Sequence, residues 1–116
     1  MIKTKCVREP ASPEDGLRVL VTRTWPRGLP QDAVDVWWKE LAPSAKLLAD
    51  WRQKRITWGE YEERYRLEME ALPAHILIQG FWNMDAFEQD VVITLLCVEA
   101  EENPQCHRHI LKAIIE

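Results

Sequence analysis

Two groups of residues in this sequence have side chains capable of chemistry. Near the C-terminal end, Cys97-x-Glu99 is followed by Cys106-His107-Arg108 and then His109. Toward the front, Arg23, Trp25 and Arg27 alternate just before Gly28. A thiol at a helix start, with arginines nearby, is held toward its thiolate form and becomes a nucleophile. In that chemistry Cys106 attacks, His107 serves as base and Glu99 orients the imidazole. Arg23 and Arg27 would grip an anion, Trp25 would give a flat ring a wall to stack on, and Arg108 and Cys97 would complete the contacts. The ligand class expected is a small phosphate- or nucleotide-like anion.

Two other readings fit the same residues. Cys97, Cys106 and His107, with Glu99 beside them, are ligand types that suit zinc or iron. The gap between the two cysteines is longer than the usual chelating pair, and His107 and His109 fall on opposite sides of a helix. The blander reading makes Cys97 a small core residue, pairs the arginines with Glu14, Asp15 or Glu40, and buries Trp25.

The elements that must position these groups follow from apolar patterning. The run from Val91 to Cys97 is apolar and rich in β-branched residues, bounded by Asp90, and suits a strand covered on both faces. Beyond an acidic turn, Asn103 is placed to cap a helix with Pro104 in its first turn. His107, Ile110, Leu111 and Ile114 then form the inward stripe, Cys106 and Arg108 flank it, and His109 faces away. Such a strand–turn–helix unit puts its functional groups beyond the carboxyl end of the strand, where helix N-termini favour anions and thiolates. At the front, Ile2–Val7 and Arg18–Arg23 read as strands separated by a loop over Glu9–Gly16. Trp25-Pro26-Arg27-Gly28 ends the second strand. If the strands are parallel, the two groups meet at one end of the sheet.

The middle of the chain is more mixed. Val34, Val36 and Trp38 alternate with Asp35, Trp37 and Lys39, favouring a strand after a helical turn at Gln31–Val34. Ser44 caps a short helix whose apolar face is Leu47, Leu48 and Trp51. The basic Arg52–Arg55 stretch suits a solvated helix C-terminus. Thr57 and Glu60 form a capping box for a helix carrying Trp58, Tyr61, Tyr65, Met69 and Leu72 as a core stripe. Pro73 ends that helix, Gly80 interrupts the next stretch, and Asn83–Gln89 reads as a short helix.

With 116 residues, 47% of them hydrophobic and 29% charged, the chain is expected to form one domain over 1–116. The fold class expected is α/β, with about four mostly parallel strands and helices packed on the sheet. A net charge of -4 speaks against a nucleic-acid partner. No apolar run reaches membrane-spanning length, so no membrane partner is expected. Met1–Lys5 lacks a signal-peptide core, and three cysteines make no disulfide framework, so a reducing, cytoplasmic setting is expected. Six tryptophans are many for this length, and an exposed one could mark a homodimer seam or another interaction surface.

Several of these stretches together resemble a known family. Ser12-Pro13-Glu14-Asp15-Gly16, Arg18-Val19-Leu20-Val21, Arg23, Trp25-Pro26-Arg27-Gly28, Trp38-Lys39-Glu40-Leu41-Ala42-Pro43-Ser44, Trp51, and Arg64-Tyr65 with Glu68 look like domain-of-unknown-function family 488, the YeaO-like group. The Cys97-x-Glu99 and Cys106-His107-Arg108 pair is similar to one branch of that family, whereas the YeaO-like branch more often ends in an Asn-His-Ala run. The chain also departs after Trp51, where the family often carries an aromatic residue and a histidine, so no role is carried over there. The resemblance implies a compact α/β fold and brings no established activity.

Overall fold

A computed structural model describes residues 1–87, 91–99 and 102–116. Four strands, β1 (Ile2–Cys6), β2 (Leu17–Leu20), β3 (Val36–Trp37) and β4 (Ile93–Cys97), form a parallel sheet in the order β1-β4-β2-β3. Helices α1 (Ala45–Arg52), α2 (Trp58–Glu70) and α3 (Ala74–Phe87) connect β3 to β4, and α4 (His107–Ile115) follows β4. The expected α/β class, with parallel strands and packed helices, is what the chain adopts.

β4 lies between β1 and β2, and every one of its residues is buried. A strand paired on both edges and covered on both faces has no use for polar alternation, which is why its sequence is almost continuously apolar. The two faces differ in their cover. Ile2, Val19, Val21, Ile93 and Leu95 join Tyr65, Ile78, Phe81 and Leu111 of the helices in the main core. Leu20 and Leu96 point the other way with Val7, against Trp25, Leu29 and Val34 of the connecting loops.

Local capping follows the sequence closely in α1 and α2. Ser44 Oγ accepts from Leu47 N at 3.1 Å and donates to Glu68 Oε2 at 2.6 Å, joining the start of α1 to α2. Thr57 and Glu60 form the reciprocal capping box of α2.

α2 stops at Glu70, so Leu72, expected in its core stripe, is exposed, and element ends depart from expectation in four further places. β2 stops at Leu20 rather than Arg23. Its neighbour β3 is only two residues long, and Thr22 Oγ1 donates to the Thr24 carbonyl at 2.8 Å as the chain turns out of the sheet. The alternating stretch around Val34–Trp38 is mostly not strand: 3₁₀ turns at Gln31–Ala33 and Lys39–Leu41 bracket β3. α3 runs through Gly80, where the helix meets open space and no contact requires a break. The expected short helix at Asn83–Gln89 is the end of α3 as far as Phe87; Gln89 and the strand-bounding Asp90 lie outside the described residues.

The fourth departure bears on function. α4 begins at His107, and its N-cap is Cys106, with φ -137° and ψ 141°, not Asn103. Asn103 Oδ1 accepts from Gln105 N at 3.0 Å instead, closing a turn of its own around Pro104. Cys106 is therefore extended backbone at the mouth of the helix, not a member of its first turn.

The tryptophans divide between core and surface. Trp38, Trp51 and Trp58 pack on the main core. Trp37 is 37% exposed, yet its Nε1 donates to the Thr22 carbonyl at 2.8 Å and its ring meets Trp25 edge-on. No described helix is long and apolar enough to cross a membrane.

Candidate functional site

The carboxyl ends of β2 and β4 open onto a cavity of about 520 Å³. Its wall takes Thr22–Thr24 from the exit of β2, Cys97–Glu99 from the exit of β4, and Gln105–His107 from the start of α4. α1 and α2 add Trp51, Arg52 and Tyr61 to the wall. The position follows the general rule for open parallel sheets, in which the strand exits and the next helix start frame the ligand site.

Cys97, Cys106 and His107 converge here. All three are buried, and one ligand atom from each lies within 4.8 Å of the others. Cys97 holds the last sheet position of β4, and its partner across β1 is Cys6. Cys106 Sγ is 3.9 Å from His107 Nδ1. His107 Nε2 is 2.7 Å from the Val21 carbonyl, to which it donates. That bond fixes the ring and leaves Nδ1 turned toward the sulfurs. Tyr65 meets the imidazole edge-on from α2.

Glu99 completes the group. Its Oε2 accepts from Cys97 Sγ at 3.0 Å and from Cys106 Sγ at 3.7 Å. Burial works to raise the Glu99 pKa, but the Cys97 thiol bond, a backbone bond, the His107 charge and the Cys106 thiol together outweigh it, and the carboxyl titrates below its usual range. Hydrogen bonding with Cys97 also lowers the Cys106 pKa against the opposing effect of burial. Cys97 moves the other way, far above an ordinary thiol, because of Cys106 and then burial. The two thiols thus behave as one unit that gives up a single proton readily and a second only with great difficulty. Burial disfavours the charged imidazole of His107, yet its bond with Cys97 and the charge there raise its pKa overall.

The residues expected to share a site separate into two sets. Arg23, Cys97, Glu99, Cys106 and His107 all line the cavity. Trp25, Arg27 and Arg108 do not. Trp25 folds back so that its Nε1 donates to the Leu29 carbonyl at 2.9 Å, placing the ring against the loop-covered face of the sheet. Arg27 is exposed on the turn before Gly28, and its carbonyl accepts from Arg8. Arg108, expected at the flank of α4, is fully buried and donates to the Lys5 and Glu99 carbonyls at 3.2 and 2.8 Å. It ties the β1 end and the Glu99 turn to α4, because the late helix start rotates it inward. The partner that orients His107 is likewise the Val21 carbonyl; the contacts of Glu99 go to the sulfurs. His109, expected to face away, is half-buried with Nε2 3.1 Å from the Asn103 carbonyl.

Sequence reasoning missed Trp51, Arg52 and Tyr61 as cavity residues. Tyr61 sits in a stripe whose spacing is that of any core-facing helix. Arg52 looks like any cation at a helix end. Nothing in the local pattern tells these apart from structural residues; only the packing of α1 and α2 beside the strand exits does.

A model of the DUF488-N3a family, described as the Active DUF488-N3 subclade, matches residues 2–116. The chain is 37% identical to the uncharacterized protein YeaO of Escherichia coli (strain K12) over 70 residues, which is 59% of this chain and 61% of YeaO. An uncharacterized protein of Mycobacterium tuberculosis (strain H37Rv) is 36% identical over 70 residues, 59% of each chain. The chain thus spans about three-fifths of the length of the curated relatives it matches. No solved structure matches it. With the family match extending from the first strand to the last helix, the chain belongs to the DUF488 family, in its DUF488-N3a group.

Proposed function

We propose that this protein holds a zinc-class transition-metal ion between Cys97 Sγ, Cys106 Sγ and His107 Nδ1, and presents it to a small anionic ligand in the adjoining cavity. One observation carries the reading: two thiol sulfurs and an imidazole nitrogen lie within 4.8 Å of one another at the cavity wall. Donors around a tetrahedral zinc stand about 3.5–3.8 Å apart, as bond lengths near 2.1 and 2.3 Å require, so a small inward shift of the sulfurs closes the set. The anchored Nε2 of His107 is the arrangement a metal-binding imidazole needs, with its outer nitrogen held by a carbonyl. Three protein ligands beside a cavity leave a fourth position for water or ligand. Glu99, which contacts both sulfurs and lines the cavity, would be the nearby carboxylate able to take a proton from a water on such an ion. A reducing, cytoplasmic setting suits three free thiols.

Cobalt(II) titration of metal-free protein tests this. The expected result is one equivalent bound with sulfur-to-cobalt charge-transfer bands, displaced by zinc and lost in Cys106→Ser and His107→Ala. Absence of those bands in the intact protein rejects the metal site.

A second reading uses the same residues without an ion. Cys106 is then a nucleophile, with His107 Nδ1 at 3.9 Å as its base and Cys97 favouring its thiolate. Alkylation read by mass spectrometry separates the two. Fast modification of Cys106 that a chelator does not change, and that phosphate slows, supports the nucleophile. Modification of Cys97 and Cys106 only after chelation supports the ion.

A further inference from the structure

The wall that α1 and α2 give the cavity has a chemistry that the metal reading leaves unused. Trp51 lies half-buried at the end of α1, with its ring 5.1 Å from Trp58 and 5.8 Å from Tyr61. Trp58 and Tyr61 stack on each other at 4.6 Å with planes 14° apart, and Tyr61 continues into Tyr65 at 6.3 Å. Trp51 is therefore an aromatic surface backed by a fixed aromatic column. A ring in such a position can be met by another flat ring without rearranging the core.

Two guanidinium groups stand at the same cavity. Arg23 leaves the exit of β2, and Arg52 follows Trp51 at the last residue of α1; both are exposed. Among the described residues neither forms an ion pair. This sets them apart from Arg18, Arg55, Arg64 and Arg66, each of which pairs with a carboxylate. Two unpaired guanidiniums from different elements suit the oxygens of a phosphate, which they grip through paired N–H donors. Gln53 and Gln105, also at the cavity, carry amides that can both donate to and accept from the edge of a heterocycle. The volume of about 520 Å³ lies within the range of small-molecule sites.

We infer that the cavity binds a heteroaromatic ring carrying a phosphate, of the size of a nucleoside monophosphate, with the ring against Trp51 and the phosphate between Arg23 and Arg52. The inference rests on reading this cavity as a ligand site. It names the occupant of that site and does not require the ion.

Isothermal titration of the full chain with each of the four ribonucleoside 5′-monophosphates tests it, with free nucleosides and ribose 5-phosphate as controls. Each titration is run on zinc-loaded and on chelator-treated protein. At least one monophosphate is expected to bind tenfold or more tightly than both its nucleoside and ribose 5-phosphate. Arg23→Gln with Arg52→Gln should remove that advantage over the nucleoside while leaving nucleoside binding unchanged. Trp51→Ala should weaken monophosphate and nucleoside alike by tenfold or more, and Trp51→Phe should restore most of the loss. A circular-dichroism melt of each variant verifies folding. The inference is overturned if no monophosphate exceeds ribose 5-phosphate, or if binding survives unchanged in both the arginine and Trp51→Ala variants. Ligand binding without cobalt bands removes the metal and keeps this inference. Cobalt bands without ligand binding do the reverse.

Discussion

Two of the places where ionisable side chains are buried in this molecule are treated in opposite ways. On the loop-covered face, Asp15 accepts from Ser12 N at 3.0 Å, Lys5 Nζ at 3.1 Å and Arg18 NH1 at 2.5 Å. Arg18 in turn donates Nε to the Ala33 carbonyl at 2.9 Å, and Thr94 of β4 donates to the Asp15 carbonyl at 2.6 Å. The one carboxylate is held by two cations, its donors are matched, and the result holds β1, β2 and β4 to the loops. At the strand exits, Cys97, Glu99, Cys106 and His107 contact mainly one another, and the whole group faces a cavity. The first cluster is closed and structural. The second is short of positive charge and open on one side, as the proposed ion or ligand site requires.

The contrast can be broken by substitutions that should affect one cluster and spare the other. The largest effect is expected from Gly16→Ala, at the turn just beyond Asp15. Gly16 has φ 63°, and a Cβ there would run into the Val92 carbonyl oxygen, a fixed backbone atom. A loss of at least ~4 kcal/mol is expected in urea unfolding, or no soluble protein at all. Asp15→Ala comes next. It leaves Arg18 without its carboxylate, and a loss of about 3 kcal/mol is expected, with cobalt binding intact in the folded fraction. Cobalt binding unaffected by Cys106→Ser, or lost in folded Asp15→Ala, would merge the two clusters and end the distinction.

The converse substitution sharpens it. Cys106→Ser should weaken cobalt binding by more than the ~10–100-fold typical of changes in the outer sphere of a metal. The metal-free chain should lose no more than ~1 kcal/mol. pH separates the clusters as well. Burial tends to raise the Asp15 pKa, but the Ser12, Lys5 and Arg18 bonds outweigh it and the value is lowered. A carboxyl depressed by folding stabilises fully above its unfolded pKa of about 3.9 and loses that contribution as pH falls through the folded value. Urea midpoints should therefore drop in acid for the native chain, and this part of the drop should be missing in Asp15→Asn. The smallest effect is expected at Thr57→Ala, which removes the α2 cap. A loss of about 1 kcal/mol with unchanged cobalt binding would mark it as belonging to neither cluster.

Much of the architecture is legible in local pattern. The apolar run of β4 signals a strand covered on both faces, Ser44 and Thr57 mark two helix starts, and the alternation of Val19, Leu20 and Val21 between two cores follows from the pleat. Where two local signals compete, pattern is a weaker guide. Asn103 and Pro104 are together a good helix start, yet Asn103 satisfies its side chain in a turn and leaves the cap to Cys106. The alternation around Val36 is that of a strand, but β3 has one neighbour, β2, which itself ends at Leu20, so the ladder is short. Residue type was informative for the thiols, the imidazole and Glu99, because such groups have few reasons to be close in sequence. It was uninformative for arginine: Arg23, Arg27, Arg52 and Arg108 look alike in the chain, but Arg23 and Arg52 reach the cavity, Arg27 reaches solvent and Arg108 lies in the interior.

By itself the sequence determined that strand–turn–helix order would bring two cysteines, a carboxylate and a histidine to one end of a parallel sheet, since hydrophobic periodicity and strand direction set that geometry locally. Only the tertiary structure decided which side chains complete the site. Trp51, Arg52 and Tyr61 enter because α1 and α2 pack beside the strand exits, and Arg108 is withdrawn because the helix start falls at His107. The physical reason is the same in each case. A side chain's direction depends on where its helix begins and on what packs against it, and both are settled by contacts between residues far apart in the chain.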